Sequence, residues 1–112
     1  MKIYIEKNQK LFAFFLLSFS MVCTIFTFAQ VFSKAGFYEA DGKVSHDFLG
    51  AIYLSIVTWT TLGYGDLRPT ESVRIFAGIE ALTGYLYLGL FVAFVINYLF
   101  MAQRGKKDNA ET

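Results

Sequence analysis

The sequence predicts an all-α membrane protein, with two transmembrane helices flanking a short re-entrant helix and an extended glycine-containing segment. Three observations predict it. The chain is 55% hydrophobic and 19% aromatic, with a mean hydropathy of +0.46, which is too apolar for an ordinary soluble domain. Residues 11–32 carry no charge and residues 72–101 carry few, so each run makes enough helix to cross a hydrocarbon core roughly 30 Å thick. Between them, residues 47–59 form an apolar stretch too short to span, followed by Thr60-Thr61-Leu62-Gly63-Tyr64-Gly65-Asp66.

In the first span, Phe12, Phe15, Phe19 and Phe26 recur at helical spacing, and Ser20, Thr24 and Thr27 form a second stripe. The phenylalanines suit lipid; the small polar stripe suits close helix contacts. Cys23, the one cysteine, lies inside this run and is expected to pack there. A cleaved signal peptide is the competing reading, but the apolar stretch exceeds the usual ~7 to 15 residues of such a signal. Residues 33–46 bring back charge and glycine and are expected to form an exposed loop. Ser45 or Asp47 is placed to cap the short helix over 47–59, whose carboxyl end then directs partial negative charge inward. Pro69 and Thr70 mark the turn before the second span. At ~1.5 Å per residue, residues 72–101 exceed the membrane thickness and imply tilt. Residues 102–112 read as a polar tail.

Charge sets the orientation. Lys2, Lys7 and Lys10 precede the first span, and Arg104, Lys106 and Lys107 follow the second. The positive-inside bias then puts both termini in the cytoplasm. The connecting region holds Lys34, Lys43, Arg68 and Arg74 against Glu39, Asp41, Asp47, Asp66 and Glu71. Such a mildly acidic outer face attracts cations. A net charge of +1 offers no broad basic surface for nucleic acid. The chain has one histidine and no nucleophile, base and acid cluster, so no enzyme is implied.

The 60–66 segment carries the chemistry. Glycine on both sides of Tyr64 permits backbone dihedrals that turn successive carbonyls to one side. Four copies around an axis would stack rings of oxygens able to replace a cation's hydration shell. With an apolar short helix before it and a full span after it, TTLGYGD resembles the filter of the two-transmembrane potassium channel pore family, over about residues 10–101. The resemblance implies an outer transmembrane helix (11–32), a pore helix (47–59), a selectivity filter (60–66), an inner transmembrane helix (72–101) and a cytoplasmic tail (102–112). It further implies K⁺ sites at Thr61, Leu62, Gly63 and Tyr64, with Gly65 at the outer exit. Leu62 stands where valine is commoner, which adds a methylene in a tightly packed place.

The same resemblance assigns filter support to Asp66, Tyr53 and Thr60. Tyr53 occupies the place of a tryptophan that bonds the filter aspartate, so a Tyr53–Asp66 contact is expected. Val57 replaces a buried glutamate and Leu54 an aromatic tether, which leaves the anchoring of Tyr64 open. Gly84 and Gly89 match hinge glycines, with close helix packing as the alternative. Tyr85, Leu88, Val92, Ala93, Ile96 and Asn97 are implied to line the cavity or gate. Glu80 either braces the pore helix, through Ser55, Thr58 or a neighbouring subunit, or lies near enough to the outer edge to reach water. His46 at the mouth is a candidate pH-sensitive group or a solvated loop residue. The whole implies a homotetramer in a lipid bilayer, at the plasma (cell inner) membrane, passing K⁺ passively as its permeant ion and needing no cofactor. A weakly selective cation channel on the same scaffold and a nonconducting modulatory subunit are the other readings.

Overall fold

Two long antiparallel helices set the shape, 68 × 21 × 20 Å. It comes from a computed structural model that describes residues 1–111, with Ile3 as backbone only; the final residue of the expected tail, Thr112, lies outside the described residues. Helix α1 spans Lys2–Ala35, α2 spans Phe48–Trp59, and α3 spans Arg74–Ala110 behind a 3-10 turn at Glu71–Val73. The uncharged runs occupy the middles of α1 and α3. Both helices continue into charged sequence because Lys, Arg, Glu and Gln are good helix formers once the chain reaches water.

Residues 33–46 depart from the expected loop. Helix α1 runs on to Ala35, where Gly36 stops it at φ 82° with its N–H on the Phe32 carbonyl at 2.8 Å. Strand β1 (Phe37–Tyr38) then sits at the centre of a small antiparallel sheet, between β2 (Val44–Ser45) and β3 (Arg68–Pro69). Phe37 pairs with Ser45 on one side and Pro69 on the other. Pro69 is tolerated there because β3 is an edge strand. The sheet forms because Phe37 is drawn inward: it is 1% exposed and joins Ala29, Phe32, Ala51, Leu54, Val73 and Ala77 in the buried cluster. The all-helical expectation therefore holds for the bulk of the chain and gives way to short strands at this end.

This sheet positions the central segment. The chain leaves it at β2, runs down α2, and returns to it at β3, so both ends of residues 46–67 are anchored at one place. Asp47 begins α2 as its N-cap, its carboxylate accepting from Gly50 N–H at 2.8 Å; the Ser45 hydroxyl accepts in turn from Asp47 N–H at 3.3 Å. His46 is fastened to the end of α1, its Nδ1 donating to the Ser33 carbonyl at 2.9 Å while the Ser33 hydroxyl donates to the His46 carbonyl at 3.0 Å.

At the opposite end both termini lie together. Lys10 Nζ donates to the Met101 sulfur, and Glu6, Lys7 and Lys10 share a cleft with Tyr98 and Met101. Between the ends, α1 meets α3 through Phe14, whose ring is 5.8 Å from both Phe91 and Phe94, and through Ser20 Oγ, 2.5 Å from the Tyr87 hydroxyl. Phe12, Phe15, Phe19 and Phe26 are exposed on α1, as suits a lipid face. Cys23 is exposed as well rather than packed, since the small stripe contacts α3 through Ser20 and not across Cys23.

Candidate functional site

The end of α2 and the segment that follows form one hydrogen-bonded unit. Thr61 N–H donates to the Thr58 carbonyl at 3.0 Å and Leu62 N–H to the Val57 carbonyl at 3.0 Å, with Gly63 N–H also reaching Val57 at 3.3 Å. These are the paired bonds of a Schellman helix stop, whose first residue beyond the cap takes the left-handed conformation. That residue is Thr61, at φ 58°. Glycine is the usual occupant, and a β-branched side chain there costs about 1–3 kcal/mol. The Thr60 hydroxyl closes the helix end by donating to the Ile56 carbonyl at 2.8 Å.

Left-handed φ then recurs at every second residue. Gly63 has φ 54° and Gly65 φ 81°, while Leu62 and Tyr64 between them stay in the ordinary half of dihedral space. Apart from their chain neighbours, no heavy atom of the described residues lies within 4 Å of a side-chain carbon built on either glycine, so within the chain, conformation and not crowding selects glycine at both. The sequence signals this at Gly63 and Gly65. It gives no signal at Thr61, whose conformation comes from the helix stop.

Residues 61–66 are exposed in the single chain, with Leu62 at 56% and Tyr64 at 68%. The Tyr64 hydroxyl has no hydrogen-bond partner in the chain among the described residues. Asp66 does: the Tyr53 hydroxyl donates to its Oδ2 at 2.8 Å. This bond, first, and the nearby negative charge hold the Tyr53 phenol above its ordinary range. Tyr53 is therefore a neutral donor at neutral pH. Val57 is buried, and its carbonyl carries the turn; Leu54 lies in the core cluster.

Helix α3 supports α2 along one stripe. Ala77, Glu80 and Gly84 are its buried residues, facing Ser55 and Trp59 of α2. Glu80 is wholly buried, with its Oε1 hydrogen-bonded to Ser55 Oγ, so it does not reach water. Gly84 lies directly on the Trp59 peptide: a side-chain carbon there would overlap the Trp59 carbonyl oxygen and come within 2.8 Å of its carbon. Gly89 has nothing within 4 Å. Tyr85 and Leu88 share a groove of about 520 Å³ with Ile56, Trp59, Thr60 and Thr61. Val92, Ala93, Ile96 and Asn97 continue further along α3, exposed and outside that groove.

The model of a family described as ion channel matches residues 20–101, which takes in α2, the 60–66 segment and most of α3. The chain belongs to the ion channel family. With two helices long and apolar enough to cross a bilayer, this ion channel family member is an integral membrane protein. It is 32% identical over 102 residues to two pore potassium channel a of Oryza sativa subsp. japonica, covering 87% of this chain and 29% of that one. It is 38% identical over 63 residues to two-pore potassium channel 5 of Arabidopsis thaliana, covering 55% and 15% respectively. Potassium voltage-gated channel subfamily A member 5 of Mus musculus is 31% identical over 97 residues, covering 80% and 16%. The chain spans less than a third of the length of each of these relatives. No solved structure matches it.

Proposed function

We propose that the chain is one quarter of a potassium-selective pore, through which K⁺ passes down its electrochemical gradient. One observation carries the reading: left-handed backbone at Thr61, Gly63 and Gly65, alternating with ordinary backbone at Leu62 and Tyr64. Peptides that alternate in this way present their oxygens to one side, which a dehydrated cation needs and an ordinary loop does not supply. Fourfold repetition would close the oxygens of Thr61, Leu62, Gly63 and Tyr64 into rings, with Gly65 at the exit.

The surroundings support each part of the mechanism. Segment 46–67 leaves the small sheet and returns to it, as a re-entrant loop entering from one side of the membrane must. The carboxyl end of α2 points its dipole toward the groove at Thr60 and Thr61 and so favours a cation below the filter. The exposure of Leu62, Tyr64 and most of α3 in the single chain leaves apolar surface for neighbouring subunits and lipid. Lysines and arginines at the shared terminal end support a cytoplasmic side for it. The relatives named for potassium support the choice of ion.

Reconstitution into liposomes tests this. The expected result is a tetramer that passes K⁺ in strong preference to Na⁺ and is blocked by barium, an ion of nearly the same size and twice the charge. Equal Na⁺ and K⁺ flux would reduce the reading to a weakly selective cation channel. A protein that never forms tetramers, or forms tetramers without flux, would overturn it in favour of a modulatory subunit.

A further inference from the structure

Glu80 poses a problem of hydrogen counting. Its Oε1 is hydrogen-bonded to Ser55 Oγ, and its Oε2 is buried without a partner among the described residues. Ser55 Oγ also lies 2.8 Å from the Ile25 carbonyl oxygen. A serine hydroxyl has a single hydrogen, and an ionised carboxylate only accepts. With Glu80 ionised, one hydrogen would have to serve two oxygens, and one of the contacts would hold two lone pairs face to face. A protonated carboxyl resolves it. Glu80 then donates to Ser55 Oγ, Ser55 donates to Ile25 O, and Oε2 becomes an uncharged carbonyl oxygen, cheaper to leave unpaired than half of a carboxylate.

We propose that Glu80 is a proton-bearing positioning residue whose hydrogen completes a relay from Glu80 through Ser55 to Ile25 O, fastening α3 and α1 to α2 behind the filter. The relay lies one helical turn from the Gly84–Trp59 contact on both helices: Glu80 precedes Gly84 by four residues and Ser55 precedes Trp59 by four. Holding one contact therefore holds the other, and with it the peptide that leads into Thr60 and Thr61.

Among the described residues, nothing nearby would stabilise the ionised form. Residues 11–32 of α1 and Phe48–Trp59 of α2 contain no Asp, Glu, Lys or Arg. Their titratable groups are Cys23, which is exposed, and Tyr53, which is bonded to Asp66. Within the same depth α3 offers Tyr85, exposed to the groove, and Tyr87, bonded to Ser20; the 3-10 turn offers Glu71, paired with Arg74. Loss of the proton thus puts an uncompensated charge between three helices, and the helices separate to let water reach it. Alkaline pH releases the filter base.

The inference rests on the channel reading, so its test has one readout that needs no conduction. The infrared band of a protonated carboxyl group is expected at neutral pH in the wild-type protein and not in Glu80→Gln. Ser55→Ala is expected to move that band to the position of a carboxyl with no hydrogen-bond partner. In liposomes, wild-type K⁺ flux is expected to fall several-fold at alkaline pH, whereas Glu80→Gln, which keeps a donor to Ser55 and cannot ionise, conducts at the neutral-pH level throughout. Absence of the carboxyl band, a band unmoved by Ser55→Ala, or the same alkaline decline in Glu80→Gln would each overturn the proposal. If no variant conducts but the band behaves as expected, the relay stands and the channel reading falls.

Discussion

Gly84→Ala gives the sharpest test of how the two helices support the 60–66 segment. A carbon built on Gly84 lies 2.8 Å from the Trp59 carbonyl carbon and 3.2 Å from its Cα, with the carbonyl oxygen nearer still. Carbon atoms settle at about 3.5–4.0 Å, so α3 and the end of α2 must part by roughly 0.7 Å or more. The obstacle is a peptide group held by its own helix, which cannot swing away as a side-chain tip would. Overpacking of this kind costs about 1–3 kcal/mol, against a gain of about 1 kcal/mol for alanine over glycine in a helix interior. Gly89→Ala has the gain without the clash, since nothing lies within 4 Å of it. The gain is common to both variants, so Gly84→Ala should be the less stable by the clash alone, about 1–3 kcal/mol, roughly 5- to 150-fold in the folded-to-unfolded ratio. The chain has a single tryptophan, Trp59, at the contact itself, so its fluorescence during denaturant titration in detergent follows the relevant interface. Gly84→Ala at least as stable as Gly89→Ala would refute the packing argument.

Other perturbations reach the remaining supports. Asp47→Ala removes the N-cap bond to Gly50 and should lower stability by about 1 kcal/mol in the same titration, with Asp47→Asn or Asp47→Ser restoring most of it. Tyr53→Phe removes the donor to Asp66 and should hasten filter inactivation in single-channel records; unchanged inactivation and ion occupancy would make the contact unimportant. The Tyr53 phenol lies above its ordinary 10.0 in the folded chain. The bond's contribution is therefore complete at neutral pH and is lost as pH rises through that raised value, so wild type and Tyr53→Phe should converge in strong alkali. Thr61→Gly relieves a left-handed β-branched residue and should raise stability by about 1 kcal/mol while lowering K⁺ over Na⁺ preference, because the hydroxyl proposed at the inner ion site is gone. Equal selectivity in that variant would remove the hydroxyl from the mechanism.

Much of this architecture was legible in residue order because the membrane imposes a blunt rule on it. Residues 11–32 and 72–101 announce helices by length and lack of charge, and Asp47 announces the start of α2 by cap chemistry. Gly63 and Gly65 announce positive φ for the same reason that glycine is found there at all. What escaped depends on contacts between distant segments. Phe37 reads as a loop residue among glycines and charges, yet the core formed by α1 and α2 draws it in, and three two-residue strands assemble around it. An aromatic pair, Phe37-Tyr38, inside an otherwise polar loop was the available signal. Thr61 gives none, since its conformation is dictated by where α2 stops.

The stripe on α3 explains why one helix carries glycine at two positions with different consequences. Ala77, Glu80 and Gly84 occupy one face and meet α2; Tyr85 and Leu88 turn to the groove beneath Thr60 and Thr61. Gly84 is small because the Trp59 peptide rests on it, and that peptide directly follows the Val57 and Thr58 carbonyls that hold the 60–66 turn. A bend of α3 at Gly84 would pull directly on Trp59, and with it on the Val57 and Thr58 carbonyls that fix Thr61 and Leu62. A bend at Gly89 acts below that contact, since no residue of another element lies within 4 Å of a side-chain carbon built there. The two glycines thus differ in place: Gly84 lies in the part of α3 tied to the proposed ion-binding backbone, and Gly89 lies below it, just ahead of the Phe91 and Phe94 contacts with Phe14. Mutation at the first should register in the filter, and mutation at the second in the movement of the helix end.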